Sequence, residues 1–305
     1  MAMTVSGNLI PWLESAAVIF LAAFGVFLGW WCSRLPRQYW IVGYLLPLVL
    51  IVLYGLANAW LGLSLQPPIS WMMMGRNKFA VAGFICAMVL TTPLSRIKPA
   101  RSRVAIATLM GLMVFNFSVW PFLAPAFNRQ LLATMQTQFN KDDVCLQTTD
   151  YTCGPAAAVT ALRKLGFHGE EGQIALWAHT STATGTPPDI LARTLQERYG
   201  QQGLVAQFKV FHNLEELAEE RLTLAVIKYN WWMDHYVTVL EVTTDKVLTA
   251  DPSLGLVSFS HEEFLKKWRA VGVTLKRDPL AQPAANRSVL FKPLFLDHKR
   301  ITNES

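Results

Sequence analysis

Three residues in the second half of the chain have the types needed for acyl transfer: Cys153, His235 and Asp251. Cys153 falls at the expected start of a helix, where unpaired backbone N–H groups and the helix dipole favour a thiolate, the form that attacks carbonyl carbon. His235 opens an expected strand, and Asp251 ends the next one, directly ahead of Pro252. If those strands are antiparallel neighbours joined by a turn at Thr244 and Asp245, the carboxylate lies beside the imidazole and orients it for acid and base work. Gln147, six residues before Cys153, offers a side-chain amide that, with the Cys153 backbone N–H, would make an oxyanion hole. Singly, each residue has a plainer reading, since a free cysteine is commonly a small buried hydrophobe. The joint arrangement carries the case.

These side chains require a mixed frame to position them. A short strand is expected at 144–148. A helix follows at 153–165, with Thr152 as its cap, Pro155 in its first turn and Gly166 as its stop. Two more helices are expected, at 188–199 closed by Gly200 and at 214–221 capped by Asn213. Strands at 222–229, 235–243 and 246–250 are rich in β-branched and aromatic residues. Ser260 and Glu263 form a capping box opening a helix to Trp268, and 271–275 and 288–291 add sheet edges. Helices first and antiparallel strands after predict an α+β layout, with the early helices packed on a later sheet.

The first half has a different character. The chain of 305 residues is 52% apolar and only 16% charged, against about 25% charged in soluble domains. Four apolar runs, at about 9–32, 39–63, 78–95 and 104–124, are long enough to cross ~30 Å of hydrocarbon as helices. The third is the shortest and needs Lys78 and Arg96 to reach outward. Pro47 is tolerable within a membrane helix, and Trp71 and its neighbouring methionines suit an interfacial loop. The expected division is a membrane domain at 1–128, a polar tether at 129–143 and a catalytic domain at 144–305. The first segment lacks the basic start and small-residue cleavage site of a removable signal peptide.

The net charge of +6 is unevenly spread. Residues 1–128 hold eight bases and one acid, Glu14, whereas 129–305 hold 19 bases and 20 acids. Bases confined to loops between apolar runs are topology signals, which excludes nucleic acid as the expected partner. Arg34, Arg37, Arg96, Lys98, Arg101 and Arg103 share one side of the bundle, and the positive-inside rule places that side in the cytoplasm. Both termini and the catalytic domain are then extracytoplasmic, on a multi-pass protein of a bacterial inner membrane. Three spans instead of four would reverse this. Four cysteines are too few for a disulfide scaffold. His168, His179, His212, His261 and His298 lack metal-site spacing and read as solvated surface, so neither metal nor cofactor is expected. Glu14 reads as interfacial.

The run CLQTTDYTCGPAAA at 145–158, with DHYVTVLEV at 234–242 and ADPSLG at 250–255, resembles the peptidase C39 family, papain-like cysteine peptidases of bacteriocin and peptide exporters. The resemblance covers about 144–273. It implies a papain-like domain in which Cys153 is the nucleophile, His235 the base and later acid, Asp251 the orienting carboxylate and Gln147 the oxyanion donor. It also implies cleavage after a Gly-Gly pair, with Trp231, Trp232 and Met233 as candidate walls of a glycine channel. Two features depart from the exporters: the domain follows the four spans, and the sequence contains no Walker-type phosphate loop. Leader cleavage coupled to export is therefore not carried over. Cys145, eight residues before Cys153, is expected as a buried strand residue, although pairing with Cys153 would make a redox switch.

The leading expectation is a membrane-anchored cysteine peptidase acting through a thioester on peptide or protein segments, glycine-rich ones included, beside the lipid bilayer. The alternatives are a catalytically silent peptide-binding module, a membrane-complex subunit docking a protein partner through its bundle, and a different acyl transfer such as transglutamination or amide hydrolysis of cell-wall peptides.

Overall fold

The computed structural model describes residues 2–36, 38–60, 69, 72, 75–220, 222–230 and 233–278. The apolar half forms α1 (Ala2–Ser33), α2 (Val42–Ala59), α3 (Asn77–Thr91) and α4 (Ala100–Phe127). Each marks a segment long and apolar enough to span a membrane, the third running on through a 3-10 turn at Leu94–Arg96. The fourth contains a π-helical turn at Phe115–Val119. Most of the large apolar side chains of α2 face outward, and only Gly43, Pro47, Ala57 and Asn58 are buried. That pattern is compatible with a helix that faces lipid.

Helices α1 and α3 pack through small residues. A Cβ added at Gly25 would lie 2.8 Å from the Phe84 carbonyl oxygen, and one at Gly29 would lie 2.7 Å from that of Met88. These two glycines, four residues apart, let the helix backbones touch. The outward reach expected of Lys78 does not occur. Lys78 is buried and turns toward the second half of the chain, because an acid there supplies the counter-charge.

The second half begins within the stretch read as a tether, which carries a short helix α5 (Arg129–Ala133) and strand β1 (Gln138–Phe139), paired to β2 (Cys145–Leu146). Leu132 of α5 is buried, so this segment packs on the domain. There follow α6 (Cys153–Lys164), α7 (Glu171–Trp177), α8 (Pro188–Tyr199), β3 (Leu204–Val210) and α9 (Leu214–Glu219). The chain then runs through β4 (Thr223–Lys228), β5 (Asp234–Val242), β6 (Lys246–Asp251), β7 (Gly255–Ser260), α10 (His261–Lys267) and β8 (Trp268–Arg277). The six-stranded sheet has the order β3-β8-β4-β5-β6-β7 with every neighbour antiparallel. One apolar cluster joins α6 and α8 to one face, and a second joins Phe211, Leu217, Phe264 and Trp268 to the other. The fold is α+β, with α6 to α8 packed on an antiparallel sheet.

Local details differ from expectation. Strands β3 and β7 and helix α7 were not foreseen. Both strands lie at sheet edges, where pairing to a neighbour defines a strand that its own apolar pattern marks weakly. Asn213 and the Ser260–Glu263 box cap their helices as expected. Thr152 does not cap α6 through its side chain; its hydroxyl donates to the Thr149 carbonyl. Helix α8 ends at Tyr199 with Gly200 at its C-cap, as expected, and a 3-10 turn ended by Gly203 at φ +90° follows. Strand 288–291 lies outside the described residues.

Candidate active site

Helix α6 is Ala-rich and buries every residue from Cys153 to Leu162, so it lies flat against the sheet. Its register on β5 is held at two points. The Thr238 hydroxyl donates to the Ala157 carbonyl at 3.0 Å. Gly154 faces the Tyr236 ring, where an added Cβ would lie 3.2 Å away. That ring is pinned by its hydroxyl, which donates to the Thr186 carbonyl at 2.9 Å. Residues Gly154 and Tyr236 flank Cys153 and His235 in sequence, so their close approach carries the thiol to the imidazole.

Cys153 is the first residue of α6, and it lies close enough to His235 to help hold the imidazole charged. His235 Nε2 lies 2.9 Å from Asp251 Oδ1. Strands β5 and β6 are adjacent and antiparallel, joined through the turn at Thr243 to Lys246, where the Thr243 N–H donates to the Lys246 carbonyl. All three side chains are buried. Burial opposes charge on the imidazole most strongly, but hydrogen bonds to Asp251 and Cys153, and the attraction of both, outweigh it and raise His235 to about 9. Asp251 is held below its ordinary range: burial works against its charge, but the His235 hydrogen bond and charge, with the Ser253 and Leu254 backbone, overcome that cost. The Ser253 N–H donates to Asp251 Oδ1 at 2.7 Å.

Gln147 is drawn to the loop that follows Asp251. Its backbone N–H donates to the Pro252 carbonyl at 2.9 Å, and its Oε1 accepts from the Ser253 hydroxyl at 3.0 Å. Its Nε2 donates to the Thr149 carbonyl at 3.0 Å, leaving a second N–H on that nitrogen. The next residue is anchored by a fully buried acid: Glu171 accepts from the Thr148 N–H at 2.8 Å and from its hydroxyl at 2.7 Å. Glu171 carried no sequence signal, whereas Ser253 lay inside the quoted ADPSLG run and went unread.

Cys145 stands apart from this cluster. It is fully buried in β2, its N–H donates to Thr160 Oγ1, and burial together with Glu171 pushes its thiol up to about 12. Cys145 and Cys153 are both free thiols. Trp231 and Trp232 lie outside the described residues, and Met233 is exposed. Among the described residues no histidine, cysteine and carboxylate cluster could hold a metal ion. His179 is not solvated surface. It is half-buried, and burial with Arg76, Arg129 and Arg193 pushes its imidazole down to about 4.

The two halves meet beside this site. Lys78 Nζ lies 3.3 Å from Asp234 Oδ2, and Arg269 Nε donates to Asp234 Oδ1 at 2.8 Å. Arg269 also donates to Asn58 Oδ1 at 2.7 Å, and Lys228 to the Asn58 carbonyl at 3.3 Å. Arg76 donates to the His179 carbonyl and lies 3.5 Å from Glu14. The end of α2 and the start of α3 thus face the domain, and Asp234, the residue before His235, is their shared anchor.

Residues 141–279 match the sequence family described as the Peptidase C39 family. An uncharacterized protein of Methanothermobacter marburgensis is 25% identical over 144 residues, covering 47% of this chain and 95% of the relative. Among solved structures, a double glycine motif protease from an AMS/PCAT transporter, in complex with the leader peptide, is 17% identical. It aligns with a TM-score of 0.38, covering 47% of this chain and 99% of its own. The peptidase domain of Streptococcus ComA, a bi-functional ABC transporter, is also 17% identical with a TM-score of 0.38, covering 44% of this chain and 96% of its own. Behind its four apolar helices, the chain thus carries a second half that matches the Peptidase C39 family over residues 141–279.

Proposed function

We propose that the protein is a membrane-anchored cysteine peptidase in which Cys153, His235, Asp251 and Gln147 carry the reaction. The reading is supported above all by the buried pair of His235 and Asp251, 2.9 Å apart, beside Cys153 at the start of α6. The Cys153 sulfur and the His235 imidazole share a buried site that suits the first step: sulfur attacks the peptide carbonyl carbon, and the oxygen takes up negative charge. The Cys153 N–H at the helix start and the second Nε2–H of Gln147 are the proposed donors to that oxyanion. The C–N bond then breaks as His235 passes its proton to the leaving amine, leaving a thioester on Cys153. Water attacks the thioester, gives a proton to His235, and the C–S bond breaks to release the acid and restore the thiolate.

The substrates are peptides or protein segments beside the bilayer, cut after a glycine pair as the family resemblance implies. The four apolar helices anchor the protein in the membrane, with the basic loops of the far end in the cytoplasm and the catalytic domain outside. The test compares new protein termini in cells with intact protein and with Cys153→Ala. Termini that vanish with the thiol, together with electrophile labelling of Cys153 well ahead of Cys145, are the expected result. Unchanged cleavage in the Cys153→Ala protein would exclude the mechanism.

A further inference from the structure

The bundle contains an unused feature: a cavity of about 370 Å³ between α2 and α3, with Met113 of α4 and Ile69 and Met72 of the intervening segment on its wall. That volume is within the range of ligand-binding clefts. The walls are apolar except at Lys78, Tyr54 and Cys86. Along α3 the lining runs from Lys78 to Leu90, roughly 18 Å of helix at 1.5 Å per residue. Ile51, on the α2 side, is half exposed, so the cavity borders the surface that faces lipid.

One end of this cavity is marked by the residue that ties the bundle to the strand of His235. Lys78 lines it, and the same ammonium pairs with Asp234, which is joined by one peptide bond to His235. On the domain side, three exposed apolar side chains flank the site. The Tyr229 ring is 6.1 Å from that of His235, Met233 lies two residues before His235, and Leu254 follows the Asp251 loop. The apolar cavity of the bundle and the exposed apolar side chains beside His235 thus lie on either side of one ion pair.

We propose that the cavity seats the hydrophobic segment of the peptide substrate. The segment lies as a helix with its side-chain ridge between α2 and α3, and the extended stretch beyond the membrane surface passes Tyr229 and Leu254 to Cys153. A lipid acyl chain fits the same walls, but only a peptide continues from the cavity to a scissile bond and uses the exposed apolar side chains beside His235. This rests on the peptidase reading and names its substrate class: membrane-inserted peptides cut just beyond their apolar segment.

The test uses the full chain in lipid nanodiscs of phosphatidylethanolamine and phosphatidylglycerol. Two synthetic fluorogenic peptides share one Gly-Gly cleavage stretch, and one of them also carries a 20-residue leucine-alanine segment bearing a diazirine leucine. The expected result is photo-crosslinking to the lining of α2 and α3 around Tyr54, Ala82 and Cys86, competed by unlabelled anchored peptide. The anchored peptide should have at least a tenfold higher kcat/KM, and Ala82→Trp should shrink that ratio at least fivefold. Crosslinks confined to lipid or to other helix faces, or a ratio near one, would overturn the proposal; the crosslink map on the unaltered chain decides this even if Ala82→Trp fails to fold. Competed crosslinks in the cavity with neither peptide cut would support the seat while defeating the peptidase reading.

Discussion

The two ends of the helix bundle carry the same kind of residue in opposite surroundings. Arg96, Lys98, Arg101 and Arg103 are exposed at one end, whereas Arg76 and Lys78 at the other are buried against the domain. A buried cation needs a fixed partner, because its lost hydration otherwise outweighs any gain from packing. Asp234 is that partner for Lys78, and the His179 carbonyl with Glu14 serves Arg76. Basic residues thus stay exposed at one end of the bundle and dock the second half of the chain at the other. The docking end is also the end nearest His235.

This contrast can be broken at graded strengths. The largest expected effect is at the buried pair itself. Asp251→Asn should keep the fold but lower kcat by about 10⁴-fold, as for a triad whose imidazole loses its orienting carboxylate. The pH–rate profile checks the same pair. With His235 raised to about 9 from an ordinary 6.5, activity should fall as pH rises through about 9, and that limb should move to lower pH in Asp251→Asn. The stability contributed by the charged imidazole follows the same sense: it is complete below 6.5 and lost as pH rises through about 9.

Gln147→Ala should cost about 100- to 1,000-fold in kcat if its amide stabilises the oxyanion. A loss below tenfold would leave it a structural bridge between the Thr149 and Asp251 loops. Weaker still, Lys78→Ala should destabilise the protein by about 1–2 kcal/mol, because Asp234 retains Arg269. Lys78→Arg should recover most of that in thermal unfolding. Arg103→Ala, at the exposed end, should stay within about 0.5 kcal/mol. Equal effects at Lys78 and Arg103 would erase the proposed difference between the two ends.

Gly25 and Gly29 were visible as a four-residue spacing and went unread, although they let α1 and α3 touch. Edge strands β3 and β7 escaped because their partners, not their own patterns, define them. Glu171 escaped because a lone acid acquires meaning only once Thr148 is folded onto it.

The apolar runs, the central strands β4 to β6 and the candidate residues Cys153, His235 and Asp251 were legible from local chemistry: hydropathy, turn residues and helix-start signals act over a few residues and can be read in line. Which charges are buried, which thiol is inert and which groups meet across the two halves were decided only by tertiary structure. Lys78 and Asp234 are 156 residues apart, and nothing in either one's neighbourhood states that the other will be 3.3 Å away. Long-range contacts depend on how whole elements stack, because desolvation and pairing are properties of the assembled interior.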